Sequence, residues 1–311
     1  MTDVTETLPA IAITMGDPAG VGPEIVVKAL ADRELVALAR WLVVGDPRIL
    51  EMAETIAGTK LEGAERIDVD ALGDVEDFGF GRLDARCGRA GVAYVRAATE
   101  LCLAGKAEAM VTAPLNKEAV ALSGMAFSGH TEYIAQLCGA SESRMLLASE
   151  RLATVHVTTH VPLRQACDVT AGRVARTIEL GDDAMKLLGF ARPRIAVCGL
   201  NPHAGEHGLF GAEDERTILP AIQAARAKGI DCSGPHAPDS IFLQASRGAY
   251  DLVVPGHSHY SDIGGSWHGI RHRRHQPRQP AQHEAGHAHG RPHGRDRAGN
   301  SRSLWALSTP R

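Results

Sequence analysis

Aromatic side chains are scarce in this chain, and Phe, Trp and Tyr together make up 4% of its 311 residues. Proteins that bind single-stranded nucleic acid stack the bases on such side chains, so few stacking surfaces can form here. The formal net charge of −4 also argues against a polyanionic partner for the chain as a whole. We therefore expect no nucleic-acid partner.

Signals for export and membrane insertion are also missing. No apolar run reaches the roughly 18 residues of a membrane-spanning helix. The N-terminal segment MTDVTETLPA is acidic and polar, unlike the basic and then apolar start of a signal peptide. The six cysteines include no CxxC pair, and we interpret them as reduced packing residues. These features predict a cytoplasmic protein without membrane contact.

The glycine-rich turn GDPAGVGPE near the N-terminus does not have the G-x-G-x-x-G spacing of a dinucleotide-binding turn. A simple Rossmann nucleotide site is therefore not expected there. We assign Asp17 in this turn to capping the following helix in preference to a ligand contact. Farther along, Lys117 follows another strand, and it suits an anion contact and a solvated helix lysine equally well.

Strand and helix patterns alternate along most of the chain. The apolar runs Ile11–Met15, Leu42–Val44, Ala109–Thr112 and Tyr250–Val254 predict strands, and segments between them, such as Arg89–Leu103, have helical periodicity. Alternation at this spacing predicts an α/β fold with a mostly parallel sheet that is covered on both faces.

Two histidine loops each follow a predicted buried strand. His160 lies beyond the run Ala153–Val157, and His203 lies beyond the run Arg194–Leu200. Ligands of open α/β sheets bind at the carboxyl ends of the strands, and neutral imidazole is the commonest metal ligand. We therefore predict a catalytic divalent metal at His160 and His203. Two loop histidines that only bond to the backbone are the simpler alternative.

A further histidine precedes a predicted helix in the segment FSGHTEYIAQLCG. Unpaired N–H groups and a positive partial charge at a helix N-terminus suit a phosphate, and His130 and Thr131 would add donors. Capping of the helix by Thr131 is the alternative, and the local sequence does not decide between the two.

Several blocks, taken together and in order, resemble a known enzyme family. ITMGDPAGVGPEIV, VTAPLNKEA, GHTE, VTTHVPLRQA, GLNPHAGE and GPHAPDSIF are similar to the 4-hydroxythreonine-4-phosphate dehydrogenase family of vitamin B6 biosynthesis. The resemblance implies a two-lobed fold like that of isocitrate and isopropylmalate dehydrogenases, and a homodimer. It also implies NAD or NADP as cofactor and a divalent metal such as Zn, Mg or Co.

The resemblance further implies an activity and residue roles. The reaction would be oxidation of 4-phosphooxy-L-threonine and decarboxylation to 3-amino-2-oxopropyl phosphate, in pyridoxal phosphate biosynthesis. His160 and His203 would bind the metal, and His130 with Thr131 would bind the substrate. Catalytic and cofactor-binding residues are not identified. The MGDPAG and HVTTH segments resemble a related branch, which oxidises D-threonate or D-erythronate 4-phosphate, at least as well as they resemble the vitamin B6 enzymes.

The resemblance stops abruptly after Val254. Relatives continue with a His-Asp-Gln-Gly block that supplies a third metal ligand, but here the text reads PGHSHYSDIGG. Nine of the 15 histidines lie from His257 onward, and no lysine follows Lys228. We predict lobes at residues 8–125 and 126–254, followed by a disordered, aberrant tail at 255–311. Out-of-frame reading of a GC-rich gene would explain this tail.

Three functions therefore compete. The first is the metal-assisted, nicotinamide-dependent dehydrogenase. The second is a binding-only remnant, because a lost ligand and a lost cofactor-facing segment would impair both sites. The third is a hydrolase that uses a zinc-bound water. In the dehydrogenase, His257 or His259 could replace the family's third ligand, which aligns with Ser258.

Overall fold

The computed structural model describes residues 8–159 and 161–257. The chain forms two compact units, and within the described residues the first comprises 8–143 and the second 144–257. The predicted lobe boundary after residue 125 lies earlier in the chain. The difference arises because the helix that begins at His130 contributes Tyr133 and Ile134 to the hydrophobic core of the first unit.

The first unit contains a four-stranded parallel sheet with the order β3-β2-β1-β4. Helices follow its strands, as expected for parallel crossovers. Its elements are β1 (Ala10–Thr14), α1 (Gly22–Leu30), α2 (Arg33–Val36), β2 (Arg40–Gly45), α3 (Pro47–Ala57), β3 (Ala64–Asp68), α4 (Ala85–Leu103), β4 (Ala109–Thr112), α5 (Lys117–Leu122) and α6 (His130–Leu137).

Helix α4 is central to the packing of the first unit. Apolar residues recur along one of its faces, and Tyr94, Val95 and Ala98 are completely buried. Gly88 permits close contact with α5, because an added Cβ would lie 2.2 Å from the carbonyl carbon of Ala119. Close packing at this contact fixes α5, and with it the first residue of that helix, against α4.

The second unit contains a five-stranded sheet with the order β5-β6-β9-β7-β8. Only the β5–β6 pair is antiparallel. Its elements are β5 (Leu146–Ala148), β6 (Ala153–Val155), α7 (Leu163–Ala166), α8 (Ala171–Leu187), β7 (Ile195–Cys198), α9 (Leu219–Ala227), β8 (Cys232–His236), α10 (Pro238–Ser246) and β9 (Leu252–Val254).

In the second sheet, the parallel strands β6, β9 and β7 are neighbours, so the loops that follow them lie at the same end of the sheet. Strand β9 pairs with β6 through Thr154 and Val253, and with β7 through Ala196 and Val253. The pairing continues beyond the strands, where Thr158 forms an isolated parallel bridge with His257. The segments that follow β6, β7 and β9 therefore begin side by side.

The predicted α/β architecture with mostly parallel sheets is confirmed. Among the described residues, no helix has the length and apolar character required to cross a bilayer. All six cysteines are free thiols, and Cys87, Cys198 and Cys232 are buried. The predicted tail at 255–311 lies outside the described residues from position 258 onward.

Candidate functional site

The N-terminus of α6 carries both predicted substrate residues, His130 and Thr131. The helix begins at His130, and its N-cap residue is Gly129, which has no side chain to cap the helix. Thr131 lies one position inside the helix and forms no cap hydrogen bond. The capping alternative for Thr131 is therefore wrong, and the first amide groups of α6 receive no side-chain acceptor from the N-cap position.

His130 has a partly buried imidazole with an unused polar atom. Its Nε2 is buried and forms no hydrogen bond within the described residues. The ring contacts Phe127 edge to face, with 5.5 Å between the centroids. Burial lowers the pKa of His130, and the positive charge of Lys117 lowers it further. The side chain is thus a neutral hydrogen-bonding group at neutral pH.

Lys117 begins α5 and reaches toward the start of α6. Its Nζ donates a long hydrogen bond of 3.4 Å to the Ser128 carbonyl oxygen. A Cβ added at Gly129 would lie 3.9 Å from this Nζ and 2.7 Å from Glu132 Oε2. Asn116 caps α5 by accepting from the Glu118 and Ala119 amides, so the position of Lys117 is fixed locally.

His203, in the second unit, lies on an unusual turn after β7. The turn Pro202–Gly208 contains five successive residues with left-handed backbone angles, beginning with His203 at φ 53° and ψ 27°. Such angles are costly for residues other than glycine, and they are commonest at functional sites. The His203 side chain is 60% exposed, and its Nδ1 lies 3.9 Å from Asp239 Oδ2. This distance exceeds a hydrogen bond.

A buried carboxylate anchors the start of this turn. Asp214 is 1% exposed and accepts hydrogen bonds from the amides of Leu200 at 2.6 Å and Asn201 at 3.1 Å. The Asn201 side chain donates to Glu213 at 2.8 Å. This role of Asp214 could not be predicted from the sequence, because an Asp shortly before an amphipathic helix is typical of any helix N-terminus.

His257 is held in a defined orientation at the end of β9. Its Nδ1 lies 3.1 Å from Thr158 Oγ1, which itself donates to the Gly256 carbonyl oxygen at 2.8 Å. Because the hydroxyl proton is used in that bond, Nδ1–H of His257 donates to Thr158. Nε2 of the neutral ring then carries a lone pair, as a metal-ligating histidine requires.

A pocket in the second unit adjoins His257 and the start of the His203 turn. Its lining consists of Leu163, Ala166, Cys167, Leu200, Asn201, Glu213 and His257. His203 is not part of this lining. Within residues 8–159 and 161–257, no three His, Cys, Asp or Glu side chains are grouped as metal ligands.

His160 lies outside the described residues. The predicted convergence of His160 and His203 on one metal therefore stays a prediction. The other predicted residues are all described, but the structure brings together only His130 and Thr131, at the start of one helix.

Asp17 has a role different from the predicted helix cap. Its carboxylate accepts from the Ala19 amide at 2.9 Å, and the N-cap residue of α1 is Val21. Asp17 thus closes the glycine-rich turn. Burial raises the pKa of this 4% exposed carboxyl group, and the Ala19 hydrogen bond opposes the rise.

Comparison with known proteins shows which family this chain belongs to. Residues 37–264 match the family model described as "Pyridoxal phosphate biosynthetic protein PdxA". The chain belongs to this family. The chain is 44% identical to the D-threonate 4-phosphate dehydrogenase of Cupriavidus necator, with 81% of this chain and 80% of that protein covered. It is 38% identical to the 4-hydroxythreonine-4-phosphate dehydrogenase of Desulforapulum autotrophicum, with 81% and 78% covered.

The fold agrees with this membership of the PdxA family. A solved 4-hydroxythreonine-4-phosphate dehydrogenase from Burkholderia phymatum superposes with a TM-score of 0.77 and 41% identity, and 86% of each chain is covered. The expected isocitrate dehydrogenase-like fold class is thereby confirmed. The similar proteins are dehydrogenases, and this chain is accordingly an oxidoreductase of the same family.

Proposed function

We propose that this chain oxidises a four-carbon hydroxy acid that carries a 4-phosphate, with NAD or NADP as the hydride acceptor. The observation that carries the proposal is the start of α6, where the family's GHTE block presents His130 and Thr131 beside uncapped helix amides. Such a helix terminus is suited to a phosphate group. The names of similar proteins supply the two candidate acids, D-threonate 4-phosphate and 4-hydroxythreonine 4-phosphate.

The residues of this chain bind and orient the substrate in this proposal. Uncapped amides of α6 and the Thr131 hydroxyl donate to the phosphate oxygens, while neutral His130 offers one further hydrogen bond. A nicotinamide accepts the hydride when it is bound, and the β-keto acid that results can lose carbon dioxide. For 4-phosphooxy-L-threonine the product would be 3-amino-2-oxopropyl phosphate.

A divalent metal belongs to the proposal through the family resemblance, with His160 and His203 as its ligands. The described residues do not by themselves form a three-ligand group, so we derive no reaction step through the ion. His257 is the described histidine whose tautomer suits a replacement for the family's third ligand. Zn, Mg and Co are the candidate ions, and the metal content of the purified protein would identify the one that is bound.

The deciding experiment compares both acids as substrates. We expect D-threonate 4-phosphate or 4-hydroxythreonine 4-phosphate to reduce NAD or NADP, and the unphosphorylated acids not to do so. The absorbance of NADH or NADPH measures the reaction. D-Threonate 4-phosphate is tested first, because the more similar relatives are named for it. Equal turnover of phosphorylated and unphosphorylated acids would contradict the proposal.

Because the sequence departs from the family pattern after Val254, the same experiment has a second possible outcome. Tight binding of a phosphorylated acid without reduction of either nucleotide would favour the binding-only remnant. Sequencing of the coding DNA around codons 250 to 311, read in all three frames, would then show whether a His-Asp-Gln-Gly block lies in another frame. We also propose that the protein is cytoplasmic and forms a homodimer. Sedimentation of the purified chain would test the dimer.

A further inference from the structure

The start of α6 combines several donors with a nearby cation, Lys117. The helix offers uncapped amides, and Lys117 Nζ lies close to the space above Gly129. Glu132 also lies close to this space, but no carboxylate of the described residues is within ion-pair distance of Lys117. The ammonium group therefore keeps its charge available to an incoming anion.

Lys117 is held only weakly in its present position. Its hydrogen bond to the Ser128 carbonyl oxygen is 3.4 Å long, and the side chain is exposed. An exposed lysine retains flexible rotamers, so it can move toward a ligand at little cost. Its backbone is fixed, because it is the first residue of a helix that packs closely on α4 at Gly88.

His130 and Thr131 cannot supply enough positive charge to balance a phosphate group. A phosphate monoester carries close to two negative charges at neutral pH. Thr131 is uncharged, and burial beside Lys117 keeps His130 neutral. A helix terminus contributes only about half a positive charge. The two predicted substrate residues therefore leave most of the phosphate charge without a partner.

We infer that Lys117 is a substrate-binding residue, and that its ammonium group pairs with the phosphate group held at His130 and Thr131. This inference rests on the proposed function and adds a contact to it. Lys117 supplies charge, while His130 and Thr131 supply directed hydrogen bonds. The contact distinguishes a phosphorylated acid from its unphosphorylated form.

Binding measured by calorimetry on the full chain without cofactor tests this inference. The ligands are D-threonate 4-phosphate and D-threonate, and the proteins are the wild type, Lys117→Gln, Lys117→Arg and the control Lys106→Gln. Lys106 is an exposed lysine of the same unit, so its substitution changes the net charge equally. We expect Lys117→Gln to weaken binding of the phosphorylated acid by about 10- to 100-fold, as for the loss of a charge-assisted hydrogen bond.

The remaining variants and the second ligand make the result specific. Lys117→Arg should retain most of the affinity, because it keeps a cation at this position, and Lys106→Gln should bind as the wild type does. Binding of D-threonate should be the same in all four proteins. Unchanged affinity of Lys117→Gln for the phosphorylated acid would overturn the inference while leaving the proposed function intact. Equal affinity of the wild type for both acids would overturn the proposed function as well.

Discussion

Charge at single residues governs the candidate phosphate site. His130 and Lys117 lie on different helices of the first unit, yet the lysine charge acts on the imidazole. Because Lys117 disfavours a second positive charge nearby, it keeps His130 in the form that can both donate and accept a hydrogen bond. A histidine next to a helix terminus is visible in the sequence, but the neighbour that sets its protonation is not.

Replacement of Lys117 by Gln should raise the pKa of His130. Loss of the positive neighbour favours the protonated ring, while the burial that also lowers the pKa remains. NMR titration of the imidazole resonances measures this change, and Lys106→Gln serves as the control with the same change in net charge. A pKa that stays the same or falls in Lys117→Gln would show that the lysine charge does not reach the ring.

Replacement of Asp214 by Asn should destabilise the second unit by about 1–3 kcal/mol. One of the carboxylate oxygens that accept from Leu200 and Asn201 would become an NH2 group, which leaves a buried amide without an acceptor. Unfolding in urea measures the difference. Glu215→Gln is the matched control, because Glu215 is an exposed neighbour and its replacement should change stability little. Equal stability of both variants would argue against the anchoring role of Asp214.

At the scale of elements, the sequence predicts the interior strands better than the edge strands. The runs at Ile11–Met15, Leu42–Val44, Ala109–Thr112 and Tyr250–Val254 correspond to β1, β2, β4 and β9, and those before His160 and His203 correspond to β6 and β7. The three strands that were not predicted, β3, β5 and β8, all lie at sheet edges, and β4 is the one edge strand among the described residues that was predicted. An edge strand is partly solvated and does not need a continuous apolar run, so its pattern is weak.

The same limit applies to the candidate site. The blocks around His130 and His203 mark the ends of elements, and their positions at the start of α6 and after β7 agree with the predicted loops. The left-handed angles from His203 onward could not be foreseen, because four of the five residues are not glycine. Contacts such as Thr158 with His257 join segments far apart in the chain, and only the fold brings them together.

Replacement of Gly88 by Ala should disrupt the contact between α4 and α5. The new Cβ would lie 2.2 Å from the backbone of Ala119, and backbone atoms of a packed helix cannot move aside locally. Overpacking of this kind costs about 1–3 kcal/mol or more, and it should also displace Lys117. Thermal unfolding and phosphate-ester binding should therefore be impaired together.

Gly172→Ala in α8 is the control for this substitution. Among the described residues, an added Cβ there meets only the Thr170 hydroxyl oxygen, at 4.0 Å. Alanine also restricts the unfolded chain more than glycine does, so this variant should be unchanged or more stable by about 0.5–1 kcal/mol. A loss of stability equal to that of Gly88→Ala would mean that the helix contact is not the cause.

For the whole molecule, two half-buried histidines predict a dependence of stability on pH. Burial lowers the pKa of His236, and the charge of Arg226 lowers it further, relative to an ordinary value of 6.5. As the pH falls below that ordinary value, the unfolded chain binds a proton that the folded chain resists. The free energy of unfolding therefore decreases as the pH falls. His130 acts in the same direction.

The variant His236→Asn should show a shallower loss of stability in this acid range. Its absolute stability can also differ, because the His236 ring is hydrogen-bonded with Ser233 at 2.8 Å. The informative quantity is consequently the slope of the free energy of unfolding against pH, measured by urea denaturation at several pH values. A slope identical to that of the wild type would show that His236 does not contribute to the pH dependence of stability.

The place of β9 in its sheet has a consequence for synthesis on the ribosome. It is the last described strand in the chain, yet it lies between β6 and β7 and joins them. Until residues 252–254 have been synthesised, β6 and β7 lack the strand that lies between them, and their facing edges carry unpaired backbone N–H and C=O groups. The first unit needs no such late segment for its four described strands. The first unit can therefore fold early during translation, whereas the sheet of the second unit can form completely only after β9 has been synthesised.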